Sequence, residues 1–305
     1  MQPRQLAKLL LPPVVLDGLR LAMRKRRDPV QRYLAGGRVP WSLGYLDYKH
    51  RWIHELVRDE GVLDRFRAGE RLAPRYGVGI DERCVEYPWL FAHLAAGPGT
   101  LLDAGSILNK PFLIDHPALQ AKSLHILTLG PEKNCFWQKG ISYLYHDLRA
   151  LPLRDEFYDT VVCVSTLEHV GLDNSAYTGR TVHREERPAD FLQAVHELRR
   201  VLKRGGQMLL TVPFGVHRRF SNSQVFDGAL LDTLLQALGG TVAATVTYYR
   251  YTAEGWNVAT REECSRSDYV EWAGRWNEQR SAAPPREPDL AAAARAVACV
   301  RAVKR

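Results

Sequence analysis

The stretch Tyr145 to Val170, YHDLRALPLRDEFYDTVVCVSTLEHV, decides how the rest of the chain is read. Thr160 to Val164 is a short unbroken apolar run, too short for a helix and bounded by polar residues, and it reads as a strand. Ser142 to Tyr145 reads as another strand, followed closely by the acid Asp147. Past the later strand comes STLEHVGLDN, Ser165 to Asn174, which places several polar side chains together. In an open α/β sheet, ligands bind in the crevice outside the carboxyl ends of the strands, so both stretches lie where chemistry is expected.

Working outward, the same alternation continues in both directions. Upstream, TLLDAGSILN (Thr100 to Asn109) is a strand ending in Asp103 and then Gly105, where backbone can approach a ligand without an intruding side chain. Downstream, HELRRVLKRGGQMLLTVPFG (His196 to Gly215) reads as the end of an amphipathic helix, a Gly-Gly reversal at Gly205 and Gly206, and a further strand. That helix is predicted from about Ala189 to Leu202, with Phe191, Leu192, Val195, Leu198 and Leu202 on one face. The predicted strands are Leu101 to Asp103, Leu124 to Leu129, Ser142 to Tyr145, Thr160 to Val164, Gln207 to Val212, Thr241 to Tyr251 and Val297 to Val303. Short apolar runs alternating with helical stretches imply βαβ units and a parallel sheet.

Taken in order, three segments resemble class I methyltransferases that use S-adenosylmethionine. They are the DxGS turn, the Asp-Leu-Arg to Leu-Glu-His stretch (Asp147, Leu151, Pro152, Phe157, Asp159, Leu167, Glu168, His169), and the helix, Gly-Gly and strand unit. The resemblance implies an α/β fold: a seven-stranded Rossmann-like methyltransferase sheet with helices on both faces, preceded by a helical N-terminal extension. Residues 1–75 are assigned to that extension and 76–305 to the methyltransferase domain. The implied cofactor, S-adenosyl-L-methionine, would meet Asp103, Gly105 and Ser106 at its amino acid part, Asp147 at the adenine amine, Leu148 beside the ring, and Ser165. A carboxylate suits the amine because it is acceptor-only when ionised. The segments are also similar to those of bacterial methyltransferases of surface polysaccharide assembly, which implies a sugar or glycan-related acceptor methylated on oxygen.

Two departures stand out. Ile107 and Asn109 occupy the places of two further glycines, and the acid expected to take the ribose hydroxyls aligns with Thr128, or with Glu132 a turn later. A scaffold that keeps the fold without the cofactor is the rival reading. A nicotinamide-dependent oxidoreductase is disfavoured by the missing GxGxxG loop. For catalysis, the candidates are Glu168 and His169, since a hydroxyl acceptor benefits from a base and a His near its ordinary pKa can take a proton at neutral pH. His183 is placed in a polar loop that closes over the site. His217, Arg218 and Arg219 are candidate anion contacts, and Tyr248, Tyr249, Tyr251 and Trp256 candidate stacking surfaces for a sugar ring. No tight spacing of His, Cys, Asp or Glu points to a metal.

The formal net charge of the 305 residues is +8, and residues 1–58 account for it with twelve Lys or Arg against four Asp or Glu. A neutral body argues against a nucleic-acid substrate, which calls for a basic face over the site. Pro13 to Met23 reads as an apolar helix ending in Arg24 to Arg27, either docked on its own domain or touching an anionic membrane surface through residues 1–30. Pro12 and Pro13 interrupt the only candidate leader, and five scattered cysteines read as reduced thiols, so a cytoplasmic location is expected, peripheral to the inner face of the membrane if that contact forms.

Overall fold

The computed structural model describes residues 28–271 and 287–305. All seven expected strands form, and an eighth joins them. They are β1 (Gly99–Ala104), β2 (Lys122–Thr128), β3 (Ser142–Tyr145), β4 (Tyr158–Val164), β5 (Leu202–Pro213), β8 (Val242–Thr252), β9 (Gly255–Ala259) and β10 (Ala296–Lys304), with a short separate ribbon of β6 (Arg218–Arg219) and β7 (Gln224–Val225). The sheet order is β3-β2-β1-β4-β5-β10-β8-β9. From β3 to β5 the pairing is parallel, and β10 runs antiparallel between β5 and β8. This is the Rossmann-like methyltransferase arrangement with one strand more than expected. The extra strand, β9, is the return arm of a hairpin on β8 in which Tyr251 pairs with Trp256. Its turn requires a glycine, because Gly255 has φ +92° and a Cβ there would sit 2.3 Å from the Tyr76 carbonyl oxygen.

The described helices are α1 (Pro29–Ala35), α2 (Tyr45–Leu56), α3 (Glu60–Ala68), α4 (Arg83–His93), α5 (Pro117–Gln120), α6 (Ser175–Thr178), α7 (Phe191–Val201), α8 (Gly228–Leu238) and α9 (Arg261–Ser265). The apolar periodicity from Tyr45 to Phe66 resolves into two helices because Asp59 caps the second, accepting from the Val62 N–H at 3.2 Å. Helix α7 buries Phe191, Ala194, Val195, Leu198 and Val201, close to the face predicted; Leu202 is instead the first residue of β5.

Two apolar cores flank the sheet. One packs α7 and α8 against residues such as Leu102, Val161, Cys163 and Leu210. The other packs α2, α3 and α4 against Leu101, Val162, Val164 and Leu209. This second core is continuous from Tyr33 to Cys299, so the chain before and after residue 75 shares one interior.

Helix α4 is buried along its whole length from Cys84 to Ala92, including Pro88 inside it. A proline removes the N–H that would bond the carbonyl four residues back. That carbonyl belongs to Cys84, and the Tyr76 hydroxyl donates to it at 2.8 Å, so the helix interior keeps its hydrogen bonding complete. Ahead of α4, Asp81 is buried with the Lys49 ammonium at 2.5 Å and the Tyr45 hydroxyl at 2.8 Å. Burial opposes ionisation of Asp81, and the Lys49 charge overcomes it, holding the carboxyl below its ordinary range. These contacts fix where α4 begins, which matters for the site.

Among the described residues no helix is long and apolar enough to cross a membrane. The helix expected over Pro13 to Met23 lies outside the described residues.

Candidate functional site

A cavity of about 380 Å³ opens at the carboxyl ends of β1 to β4, within the ~300 to 1,000 Å³ typical of small-molecule sites. Its wall includes Gly105 and Ser106 after β1, Thr128 and Glu132 at and after β2, Asp147 and Leu148 after β3, and Ser165, Thr166 and His169 after β4. Four separate sequence segments thus converge at one sheet edge, as strand-end binding requires.

Gly105 is there because nothing larger fits. Its φ is +121° and a Cβ would lie 2.1 Å from the Thr166 hydroxyl oxygen. Ser106 follows in the left-handed region at φ +61°, and its hydroxyl donates to Glu132 Oε2 at 2.8 Å. Asn109 donates its amide to the same oxygen at 2.9 Å, and the Tyr177 hydroxyl on α6 donates to Glu132 Oε1 at 2.7 Å. Glu132 therefore ties the β1 loop, the β2 loop and α6 together. Thr128 shares a hydrogen bond of 2.6 Å with that same Tyr177 hydroxyl.

Asp103 does not stand where the sequence placed it. It is fully buried and absent from the cavity wall, accepting from the backbone N–H groups of Ile107 at 3.1 Å and Leu108 at 2.8 Å. Burial pushes its carboxyl up to about 7 in spite of those two bonds. Its work is to hold the loop, because a carboxylate at a strand end turned inward finds the next turn's donors before it finds a ligand.

Asp147 lines the cavity, but Arg149 grips it through a salt bridge of 2.6 Å and a backbone bond of 2.9 Å. Burial opposes ionisation; the Arg149 bonds prevail and hold the carboxyl below its ordinary range. Arg149 also pairs with Glu185 at 2.8 Å and Asp190 at 2.7 Å, which fastens the 171–190 segment over this end. Asp147 keeps 31% of its side chain exposed, which leaves acceptor surface for an amine. Leu148 is buried beside it.

Past β4, the two catalytic candidates lie side by side, His169 Nε2 4.0 Å from Glu168 Oε1, and differ in their access to the cavity. Glu168 is buried and off the cavity wall, its Oε2 has no hydrogen-bond partner, and burial pushes its carboxyl up to about 8. Glu168 therefore does not face an acceptor in the cavity, whereas its neighbour does. His169 lines the cavity with its side chain 40% exposed. Its Nδ1 lies 2.5 Å from the Asn222 carbonyl oxygen, which can only accept, so Nδ1 carries the proton. Desolvation lowers the imidazole's pKa, so the ring is neutral at pH 7 and Nε2 is a bare acceptor.

Ser165 reaches the wall too, yet its hydroxyl is engaged, donating to Glu86 Oε1 at 2.6 Å. Glu86 and Arg83 come from α4 and were missed by the sequence reading, although a Glu amid CVEYPWLFA is a visible anomaly in so apolar a helix. Tyr177 and Arg149 were missed as well. His183 lies on the wall as expected, bonded to the Thr178 hydroxyl at 2.8 Å.

Other acceptor candidates are displaced. Tyr249, Tyr251 and Trp256 are buried in the core, because alternation along β8 and the hairpin turns them inward, so they offer no stacking surface. Tyr248 is half-buried against Phe214 and off the cavity wall. His217, Arg218 and Arg219 are likewise off the wall, with Arg218 paired to Asp268 and Arg219 to Glu186. Among the described residues no three His, Cys, Asp or Glu side chains converge in a way that would hold a metal ion.

Residues 125–210 match the family model described as a methyltransferase domain, which runs from within β2 to most of β5 and carries about three quarters of the cavity wall. Similar solved structures include the Burkholderia thailandensis 1,6-didemethyltoxoflavin-N1-methyltransferase with bound S-adenosylhomocysteine, 13% identical over 70% of this chain and 74% of its own, with a TM-score of 0.43. Another is a Thermotoga maritima S-adenosylmethionine-dependent methyltransferase, described as a possible histamine N-methyltransferase, 13% identical over 86% and 96%, with a TM-score of 0.40. A third is the N-methyltransferase NodS from Bradyrhizobium japonicum with S-adenosylhomocysteine, 10% identical over 67% and 77%, with a TM-score of 0.36. No curated protein sequence matches the chain.

Proposed function

We propose that this S-adenosylmethionine-dependent methyltransferase methylates an oxygen of a sugar or glycan-related acceptor, with His169 as the base. The observation that carries this reading is the His169 imidazole itself, held neutral on the cavity wall with Nδ1–H spent on the Asn222 carbonyl and Nε2 left to accept. The rim around it carries Asn174, Asn222 and Tyr177, uncharged polar side chains of the kind a hydroxyl-rich acceptor needs.

The residues fit the cofactor in size and polarity. Gly105 gives close backbone approach, Glu132 and Thr128 offer acceptors for the ribose hydroxyls, Asp147 takes the adenine amine and Leu148 flanks the ring. When bound, the cofactor supplies a sulfonium methyl that is already activated, so alignment of the acceptor dominates the rate. The chain's task is then to orient the acceptor hydroxyl and receive its proton at His169 Nε2. The basic residues 1–30 fit an anionic lipid surface that would present a lipid-linked acceptor.

The test is transfer of radiolabelled methyl from S-adenosylmethionine to a panel of sugars, nucleotide sugars and lipid-linked glycans, with S-adenosylhomocysteine binding followed by calorimetry. His169→Ala is expected to retain binding and lose transfer by ~10²-fold or more. Label arriving only on nitrogen acceptors would sink the oxygen reading. The rival scaffold draws on the internal partners already held by Asp147 and Glu132, and it requires that S-adenosylhomocysteine release no heat.

A further inference from the structure

The β1 loop withholds the donors that a strand-end loop ordinarily gives to an anion. Free backbone N–H groups after the first strand usually meet the negative end of a ligand, most often at the start of a helix. Here the backbone N–H groups of Ile107 and Leu108 are spent on Asp103, that of Asn109 on the Ser106 carbonyl, and the Asn109 side-chain amide on Glu132 and the Asn134 carbonyl. The next helix, α5, begins only at Pro117. A carboxylate entering beside Gly105 therefore meets few loop donors, the Ser106 N–H among them, and is held firmly only with a donor from elsewhere.

Three cationic residues line the cavity: Arg83, Lys110 and Arg149. Arg149 is consumed by Asp147, Glu185 and Asp190. Lys110 stands on the loop as a flexible point charge. Arg83 differs, because it opens α4 with its side chain only 23% exposed, and among the described residues the one hydrogen-bond partner of its guanidinium is Glu86, through Nη1. Glu86 is itself locked, its other oxygen accepting from the Ser165 and Thr211 hydroxyls at 2.6 Å each. The guanidinium is thus pre-positioned on the cavity wall with donors to spare.

We infer that Arg83, carried in by the N-terminal helices, binds the carboxylate of the cofactor's methionine tail in place of the β1 loop backbone. The inference rests on the S-adenosylmethionine reading of the cavity. The geometry is consistent in scale: Asp147 follows β3 and Ser165 follows β4, three strand spacings away, or ~14 Å, so adenine at one end leaves the tail near Ser165 and Arg83. Charge is consistent too, since burial pushes the Glu82 and Glu168 carboxyls up to about 8, Asp81 is already paired with Lys49, and Glu86 is the ion-pair partner of the guanidinium. A planar fork grips a carboxylate through two parallel bonds, which an ammonium cannot do.

The experiment is calorimetric titration of the full chain with S-adenosylhomocysteine and with 5′-methylthioadenosine, which keeps the nucleoside and sulfur but has no carboxylate. Arg83→Met is expected to weaken S-adenosylhomocysteine by ~30-fold or more while 5′-methylthioadenosine changes less than ~2-fold, as loss of a charged bidentate contact predicts. Arg83→Lys keeps a charge beside buried Glu86 and so guards against misfolding; it should weaken S-adenosylhomocysteine several-fold and leave the other ligand unchanged. Equal weakening of both ligands, an unchanged S-adenosylhomocysteine affinity, or a selective loss in Lys110→Met instead would each overturn the assignment. If the wild-type chain binds neither ligand, the cofactor reading fails and the assignment falls with it. If it binds both without discrimination by Arg83, only the assignment fails.

Discussion

Replacing Glu168 with Gln removes one proton-binding group from the interior while keeping the side chain's size and shape. In the wild type, burial raises the carboxyl from the ordinary 4.5 to about 8, with Glu86 and Glu82 adding to the effect and Arg83 opposing it. Between those two values the folded chain holds a proton that the unfolded chain has released, so unfolding gains stability relative to folding as pH rises. The benefit of the neutral acid is complete below about 4.5 and is lost progressively up to about 8. Integrated over that window, the ceiling is about 5 kcal/mol, and water entry or a shift of Arg83 toward the new charge reduces it to ~1 to 3. That is a large fraction of a typical stability of ~5 to 15 kcal/mol. Urea unfolding at pH 5, 6, 7 and 8 should therefore show wild-type stability falling with pH and a shallower fall in Glu168→Gln, the two curves diverging in favour of the variant toward pH 8. Parallel curves would refute the reasoning, for they would mean that Glu168 is solvated or ion-paired in the folded chain.

Other perturbations follow from the same geometry. Gly105→Ala drives a Cβ to 2.1 Å from the Thr166 hydroxyl at a φ of +121° and should cost at least ~2 kcal/mol, read as a lower melting temperature partly restored by Thr166→Ala; an unchanged melting temperature would contradict the packing. Tyr177→Phe frees Thr128 and Glu132 from the phenol and should tighten S-adenosylhomocysteine by ~5-fold, the equivalent of about one hydrogen bond, whereas weaker binding would make Tyr177 a ligand contact. Tyr76→Phe strands the Cys84 carbonyl that Pro88 has already deprived of its helical donor; a loss of ~1 to 3 kcal/mol in urea unfolding is expected, and a loss under ~0.5 would show that another donor replaces it.

The central strands β1, β2 and β4 were legible because each is a short, largely apolar and buried run bounded by turn residues, a pattern set by local burial. Residues from Thr160 to Val164 are buried almost completely, as a central parallel strand demands. Side-chain direction at a strand end was not legible, because it depends on which donors the next turn presents. Asp103 illustrates this, turned inward by the Ile107 and Leu108 amides, while Glu132 brings a carboxylate from a loop to the cavity wall near Thr128. The place of Arg83 and Glu86 was not legible for a different reason, although Glu86 stands out in so apolar a helix. Arg83 reaches the cavity wall, and Glu86 the Ser165 hydroxyl behind it, only through the docking of α4 against the sheet, a contact between segments about 80 residues apart in sequence. Tyr249, Tyr251 and Trp256, candidate stacking surfaces in the sequence, fall on the inward side of the β8–β9 hairpin, where strand alternation buries them as core.

The absence of two expected glycines in the β1 loop has a physical account. Glycine secures a tight loop by permitting unusual backbone angles, and this loop secures the same bend by anchoring side chains instead. Ser106 adopts a left-handed φ of +61°, a cost of ~1 to 2 kcal/mol for a residue with a Cβ. Its hydroxyl bond to the Glu132 carboxylate returns ~1.5 to 3 kcal/mol, so the strained position is held at no net loss. Asn109 adds a second bond to the same oxygen, and Asp103 fixes the amides between them. Glu132 thereby acquires two tasks, loop anchor and acceptor on the cavity wall, and the two cannot be independent: whatever engages its free lone pairs also loads the bonds that hold Ser106 and Asn109. Order in the β1 loop should therefore rise and fall with occupancy of the β2 end of the cavity, a coupling that a glycine-built loop would lack.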